Sequence, residues 1–123
     1  MRAPDETVQW LRGYYAAMDS GRFDEVAAHF TADVHTVYPT GIEVIGRDAL
    51  MAQTQRALNA LERIQHELVN VWAEGDELVF ELDVTYWRRD GGVVQRGGVG
   101  IFVMDGKLVR EQRLFVDLNG VWD

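Results

Sequence analysis

The chain contains no cysteine and only two prolines. The first absence excludes a disulfide framework, a thiolate nucleophile and any cysteine-based zinc site, and it fits a reducing cytoplasm, the expected location. Also missing is an apolar run long enough to span a bilayer. The opening residues Met1 to Glu6 turn acidic at once, where a secretory signal would lead into an apolar stretch. Positive charge is scarce: twelve Lys and Arg against twenty Asp and Glu leave a net charge of −8. Such a surface is repelled by phosphate backbones and anionic lipid, and no Lys/Arg stripe compensates. Nucleic acid and membrane are therefore not the expected partners. A neutral or cationic small molecule, or another protein, suits this charge better. Repeats, low-complexity tracts and linkers are absent too. With 47% hydrophobic and 26% charged residues, positions 1–123 are expected to form a single globular domain.

What is present divides into a helical third and a strand-rich remainder. From Thr7 to Met18, Val8, Leu11, Tyr14, Tyr15 and Met18 recur at three- and four-residue steps, which predicts an amphipathic helix ended by Ser20-Gly21. Asp24 is placed to cap a second short helix through Phe30. Pro39 and Gly41 limit a short strand to Val34–Tyr38. A third helix starts near Asp48 and carries Leu50, Met51, Thr54, Leu58 and Leu61 on one face. Alternation then predicts strands over Ile64–Trp72, Leu78–Tyr86, Val93–Met104 and Leu108–Asp117, with turns at Gly75-Asp76, Asp90-Gly91-Gly92 and Asp105-Gly106. Helices followed by an antiparallel meander make an α+β order. On the last strand, Val109, Glu111, Arg113, Phe115 and Asp117 share one face, and Leu108, Arg110, Gln112, Leu114 and Val116 the other. Pattern alone does not choose between them.

Several segments resemble the SnoaL-like branch of the NTF2-like superfamily, whose relatives include polyketide cyclases, ketosteroid isomerases, scytalone dehydratases and limonene epoxide hydrolases. The carriers are Tyr14 to Gly21, Phe30 to Val34, Gly46 to Ala49, His66 to Asn70, Val84 to Gly91, Asp105 to Val109 and Arg113 to Leu118. The resemblance implies a cone in which three N-terminal helices pack on a strongly curved antiparallel sheet and enclose one pocket. It turns Glu111, Arg113, Phe115 and Asp117 inward, together with Ile64, His66, Leu68 and Asn70. Tyr14 falls where the isomerases keep an oxyanion-hole tyrosine. Their two carboxylates are missing, since Tyr38 stands at the base position and Gly100 at the acid position, which speaks against a steroid isomerase of the usual mechanism.

Asp117 is the first candidate base, because SnoaL-like cyclases resemble this chain in ending their last strand with Arg-x-aromatic-x-Asp. An apolar pocket disfavours the charged form of a carboxylate and readies it to take a carbon-bound proton. The competing reading is a strand-end cap. His66 is the second candidate, since imidazole titrates near neutrality; the alternative is a buried histidine bonded to Asn70 or to backbone. Tyr14 and Tyr38 are candidate donors to an enolate oxygen, or packing aromatics. Glu111 and Arg113 could orient a substrate, or simply pair with each other. Phe80, Leu82, Val84, Phe102 and Phe115 are the expected apolar walls. His29 and His35 lack metal-ligand spacing relative to His66, so no metal and no cofactor are expected. Glycine-rich Gly97 to Gly100 lies inside a strand and reads as a bend or as room for a ligand. Trp87 is expected on the outer sheet face, where it motivates a homodimer. The leading expectation is an enzyme that removes a proton beside the carbonyl of an apolar polyketide- or terpenoid-type molecule, giving cyclisation, isomerisation or dehydration. The alternatives are a non-catalytic binding or dimerisation module and an epoxide hydrolase.

Overall fold

Residues 1–122 are described by the structure, a computed structural model with three helices and six strands in this region. Helix α1 (Asp5–Asp19) opens with Asp5 and Glu6 in its first turn, where negative charge complements the helix dipole. Leu11, Tyr14, Tyr15 and Ala17 form its buried stripe. Helix α2 (Phe23–Ala27) is shorter than its sequence suggests. Arg22 takes the cap position and Asp24 sits in the first turn. Phe30, expected on that helix, is sealed in the core and starts strand β1 (Phe30–Val37). A tight turn at Tyr38–Ile42 leads into strand β2 (Glu43–Ile45), which the residue pattern did not mark. Helix α3 (Arg47–Asn59) begins one residue ahead of Asp48, and Gly46 precedes it with φ of 98°. Leu61 leaves the helix and opens strand β3 (Leu61–Glu74), where it is buried.

Strands β4 (Glu77–Arg88), β5 (Val93–Asp105) and β6 (Leu108–Val116) complete a sheet of order β2-β1-β6-β5-β4-β3. All neighbours are antiparallel except β1 and β6, which run parallel. The sheet is curved and does not close, and the helices pack on it. Phe30, Phe80, Phe102, Leu11, Leu50 and Val26 are fully buried at the centre. No helix among the described residues is long and apolar enough to cross a membrane.

Two bulges decide which side chains reach the concave face. In β3 the register slips between Leu68 and Asn70. One extra residue reverses the alternation, as any odd insertion in a period-2 strand must. Ile64, His66 and Leu68 therefore share a face with Val71 and Ala73, and Asn70 is turned outward. In β6 the slip lies opposite Val103 and Met104, with Val109 paired to Met104 and Glu111 to Val103. Beyond it Gln112, Leu114 and Val116 point inward, and Glu111, Arg113 and Phe115 point the other way.

Candidate functional site

A cavity of about 490 Å³ lies between the concave sheet face, α1 and α3. Ile64, Leu82, Val84, Leu114 and Val116 from the sheet, with Met18 and Leu58 from the helices, make most of its wall apolar. The Tyr38–Ile42 turn, the second half of α3 and the C-terminal Leu118 and Trp122 surround it further. Trp122 is held there by a hydrogen bond from its indole N–H to the Ala57 carbonyl, 3.0 Å.

Polar groups on this wall are few and specific. All four tyrosines of the chain, Tyr14, Tyr15, Tyr38 and Tyr86, border the cavity. Burial raises every one of their pKa values, so all remain protonated donors at neutral pH. For Tyr14 the loss of hydration dominates and the neighbouring Tyr38 adds to it. For Tyr38 a hydrogen bond with Thr54 works against the desolvation. Tyr86 is pushed up to about 12 by desolvation, with Arg96 acting in the opposite sense. Tyr14 is only 2% exposed, and no hydrogen bond from its hydroxyl to a protein group is found among the described residues. Gln112 donates to the Thr36 hydroxyl at 3.1 Å, a buried bond that fixes its amide in the wall.

Among the described residues His66 is the one imidazole on the cavity, and it is not free to turn. Its Nδ1 lies 2.6 Å from Oδ1 of Asp19, while its backbone N–H donates to Oδ2 at 2.7 Å. Tyr15 stacks on the ring with centroids 4.5 Å apart and planes at 28°. A carboxylate accepting from Nδ1–H fixes the tautomer that leaves Nε2 with its lone pair. Nε2 makes no hydrogen bond among the described residues. Asp19 does not lie on the cavity. It belongs to a separate groove of about 360 Å³, lined by Arg12, Ser20, Arg63 and Gln65 as well, with His66 as part of both walls. Asp19 was not singled out from the sequence. Its one signal there is an acidic residue at the C-terminus of a helix, an end that favours positive charge, and such a local misfit accompanies functional positions.

The other expected site residues divide. Tyr14, Tyr38, His66, Leu82 and Val84 all border the cavity. Phe115 borders its rim but is 52% exposed. Phe80 and Phe102 lie deeper, fully buried, with ring centroids 4.8 Å apart, so they support the wall from behind. Asn70, turned outward by the β3 bulge, donates to Glu81 at 2.9 Å and accepts from Arg2. Glu111 and Arg113, turned outward by the β6 bulge, lie 3.5 Å from each other. Asp117 is exposed just past the end of β6 and accepts from the Asn119 N–H at 3.0 Å, which is the geometry of a local turn. These four polar groups do not converge with Tyr14 and His66. Among the described residues no cluster of His, Asp and Glu has the arrangement of a metal site.

Three helices on a curved sheet, with a partly apolar cavity between them, define the NTF2-like class. The SnoaL-like domain family matches residues 11–111, and the chain belongs to that family. Among curated proteins no sequence match is found. A protein with a ketosteroid isomerase-like fold from Catenulispora acidiphila DSM 44928, solved with trimethylamine, superposes with a TM-score of 0.83 at 15% identity, covering 91% of this chain and 88% of its own. A protein named for the SnoaL-like polyketide cyclases, from Jannaschia sp. CCS1, gives 0.81 at 21% identity over 96% and 91%. An LEH-like epoxide hydrolase of M. tuberculosis gives 0.80 at 16% identity over 95% and 86%. At these identities the likeness is one of fold.

Proposed function

We propose that the chain acts as a single-domain, cofactor-free enzyme that takes a proton from carbon beside a carbonyl group and stabilises the resulting enolate. The observation that carries this reading is the Asp19–His66 hydrogen bond at the wall of a cavity that also presents the Tyr14 hydroxyl. Asp19 holds Nδ1–H, so Nε2 is the basic atom. Once His66 has accepted a proton, the imidazolium is stabilised by the carboxylate across the 2.6 Å contact. Tyr14, with Tyr38 beside it, supplies O–H donors to the oxygen on which charge develops. Such donors assist most in a site that excludes water. Apolar walls suit a polyketide- or terpenoid-type body, and the same base and donors serve cyclisation, isomerisation or loss of water. An epoxide hydrolase relay needs carboxylates around a water, and no Asp or Glu of the described residues lines this cavity. Association of two copies through the outer sheet face belongs to the same proposal.

Proton abstraction can be followed without the natural substrate. The α-protons of 2-tetralone, an apolar bicyclic ketone, exchange in deuterium oxide at a rate read by NMR. The wild type is expected to accelerate that exchange. His66→Gln should lower the acceleration by roughly two orders of magnitude or more, the usual contribution of a general base. Asp19→Asn should lower it less and displace its pH profile, because the amide can no longer stabilise the imidazolium. Asp117→Asn should leave it unchanged. Full exchange activity in His66→Gln would take the base role from His66, and a wild type that does not accelerate exchange would end the reading and leave a binding module.

A further inference from the structure

The charge on the cavity wall is the reverse of the charge on the molecule. Twenty Asp and Glu side chains give the chain its net −8, yet none of the described ones borders the cavity. The wall instead carries four tyrosines, His66 and, at its edge, Arg56. Resting on the enolate reading above, we propose that the ligand is an acidic hydroxyl compound, a phenol or a stabilised enol, and that the cavity holds it as its anion.

Three physical arguments favour this class over a cation or a neutral hydrocarbon. A cation in a water-poor site needs a carboxylate or an open aromatic face. No carboxylate is on the wall, and the aromatic faces nearest His66 are engaged. Tyr15 is stacked on His66, and Tyr14 has Tyr15, His29, Phe30 and Phe102 packed edge-on around it. A ligand without an acceptor would cover the Tyr14 hydroxyl and leave it unpaired, which weakens binding. An anion instead converts that hydroxyl into a charge-assisted donor. The proton balance also closes. The ligand O–H bond breaks, its proton bonds to Nε2 of His66, and the oxyanion stays with the tyrosine donors. Asp19, which stabilises the imidazolium, sits on the far side of the ring in the outer groove, so its negative charge is kept off the cavity. Net charge alone favours a neutral or cationic partner, and the proposal departs from that expectation because no Asp or Glu of the described residues is on this wall.

The test is binding, read by absorbance, with three small probes: 4-nitrophenol, its methyl ether 4-nitroanisole, and phenyltrimethylammonium. At a pH where most free 4-nitrophenol is protonated, adding wild-type protein should raise the phenolate band. The ether should bind weaker by roughly tenfold to a hundredfold, the worth of a hydrogen bond to a charged acceptor, and the cation should bind weakest. Tyr14→Phe, which keeps the ring, should cost 4-nitrophenol at least tenfold and leave the ether unchanged. His66→Gln should shrink the phenolate band at the same pH. Absence of 4-nitrophenol binding, binding without the phenolate band, or a cation bound as tightly as the phenol would overturn the proposal. These outcomes separate from those of the exchange assay. A phenolate band together with no acceleration of exchange by the wild type would sink the enzyme reading and keep the anion site. Exchange lost in His66→Gln with no phenolate band would do the opposite.

Discussion

Gly100 shows how a single atom decides packing beneath the site. A Cβ added there would stand 2.4 Å from Cε2 and Cζ of Phe80, closer than any carbon pair tolerates. Phe80 cannot retreat, because Tyr15 and Phe102 pack edge-on against it and it is fully buried. The strand glycine therefore makes room for a neighbouring ring. From the sequence, Gly97 to Gly100 reads as a bend or as room for a ligand; the side chain that fills the space at Gly100 comes from its cross-strand partner, Phe80. Gly100→Ala is expected to destabilise the fold by about 1–3 kcal/mol, the range for overpacking a closed core. Urea denaturation would measure it, and an unshifted midpoint with an unchanged slope would refute it. The residues of the proposed site were legible to different degrees. His66 and Tyr14 could be named once the family resemblance supplied their orientation. Asp19 is separated from His66 by 47 positions, and only the folded contact reveals it.

At the scale of elements, strand existence and helix order were readable because long runs of alternation and three-residue steps carry them. Strand phase was not. The bulges at Val69 and Arg110 each insert one residue, and nothing in the local composition distinguishes a bulged strand from a regular one. Every inward assignment beyond a bulge was inverted for that reason, which moved Asn70, Glu111 and Arg113 off the cavity and put Gln112, Leu114 and Val116 on it. The β4–β5 hairpin carries a second constraint. Arg88 donates to both carboxylate oxygens of Asp90, with Nη2 at 2.8 Å from Oδ2, and also to the Gly120 carbonyl at 2.6 Å. One guanidinium thus ties the hairpin to the C-terminal segment that borders the cavity. The Arg88 hydrogen bonds, followed by the Gly92 N–H, draw the pKa of Asp90 down from 3.8 to about 2. A depressed folded-state pKa means that the contribution is complete above about 3.8 and is lost as pH falls through about 2. Melting temperatures of wild type and Asp90→Asn should therefore differ at neutral pH and converge toward pH 2. A gap that persists undiminished at the acid end would assign the effect to something other than this ionisation. The exposed position of Asp90 makes it a modest gap.

For the molecule as a whole, the outer sheet face is the surface left to explain. Val99 and Phe115 are direct cross-strand partners there, 38% and 52% exposed, and beside them Ile101 lies opposite Val79 on the same face. Trp87, the residue that first suggested an interface, is covered within the chain, with the Arg63 guanidinium 4.5 Å above its ring. The patch that calls for a partner is thus the β4–β5–β6 band. Exposed apolar side chains grouped in this way, with Glu81 and Arg113 interleaved, motivate a partner chain. Two copies meeting through it about a twofold axis would bury Val99 and Phe115 against their own counterparts, the self-complementary arrangement that cyclic dimers use. Glu81, the cross-strand partner of Val99, accepts a hydrogen bond from Asn70 at 2.9 Å, and Asp83, opposite Gly97, lies further along the same face. Because Phe115 also borders the cavity rim, pairing would shield that side of the site from water. Light scattering at micromolar concentration should give twice the chain mass for the wild type. The double change Val99→Asp with Phe115→Asp should give a single chain mass, with the circular dichroism spectrum preserved. It should also weaken 4-nitrophenol binding, whereas a change on the far edge such as Val69→Asp should do neither. A wild type that remains monomeric across this range would show that the band serves another purpose and that the cavity is complete within one chain.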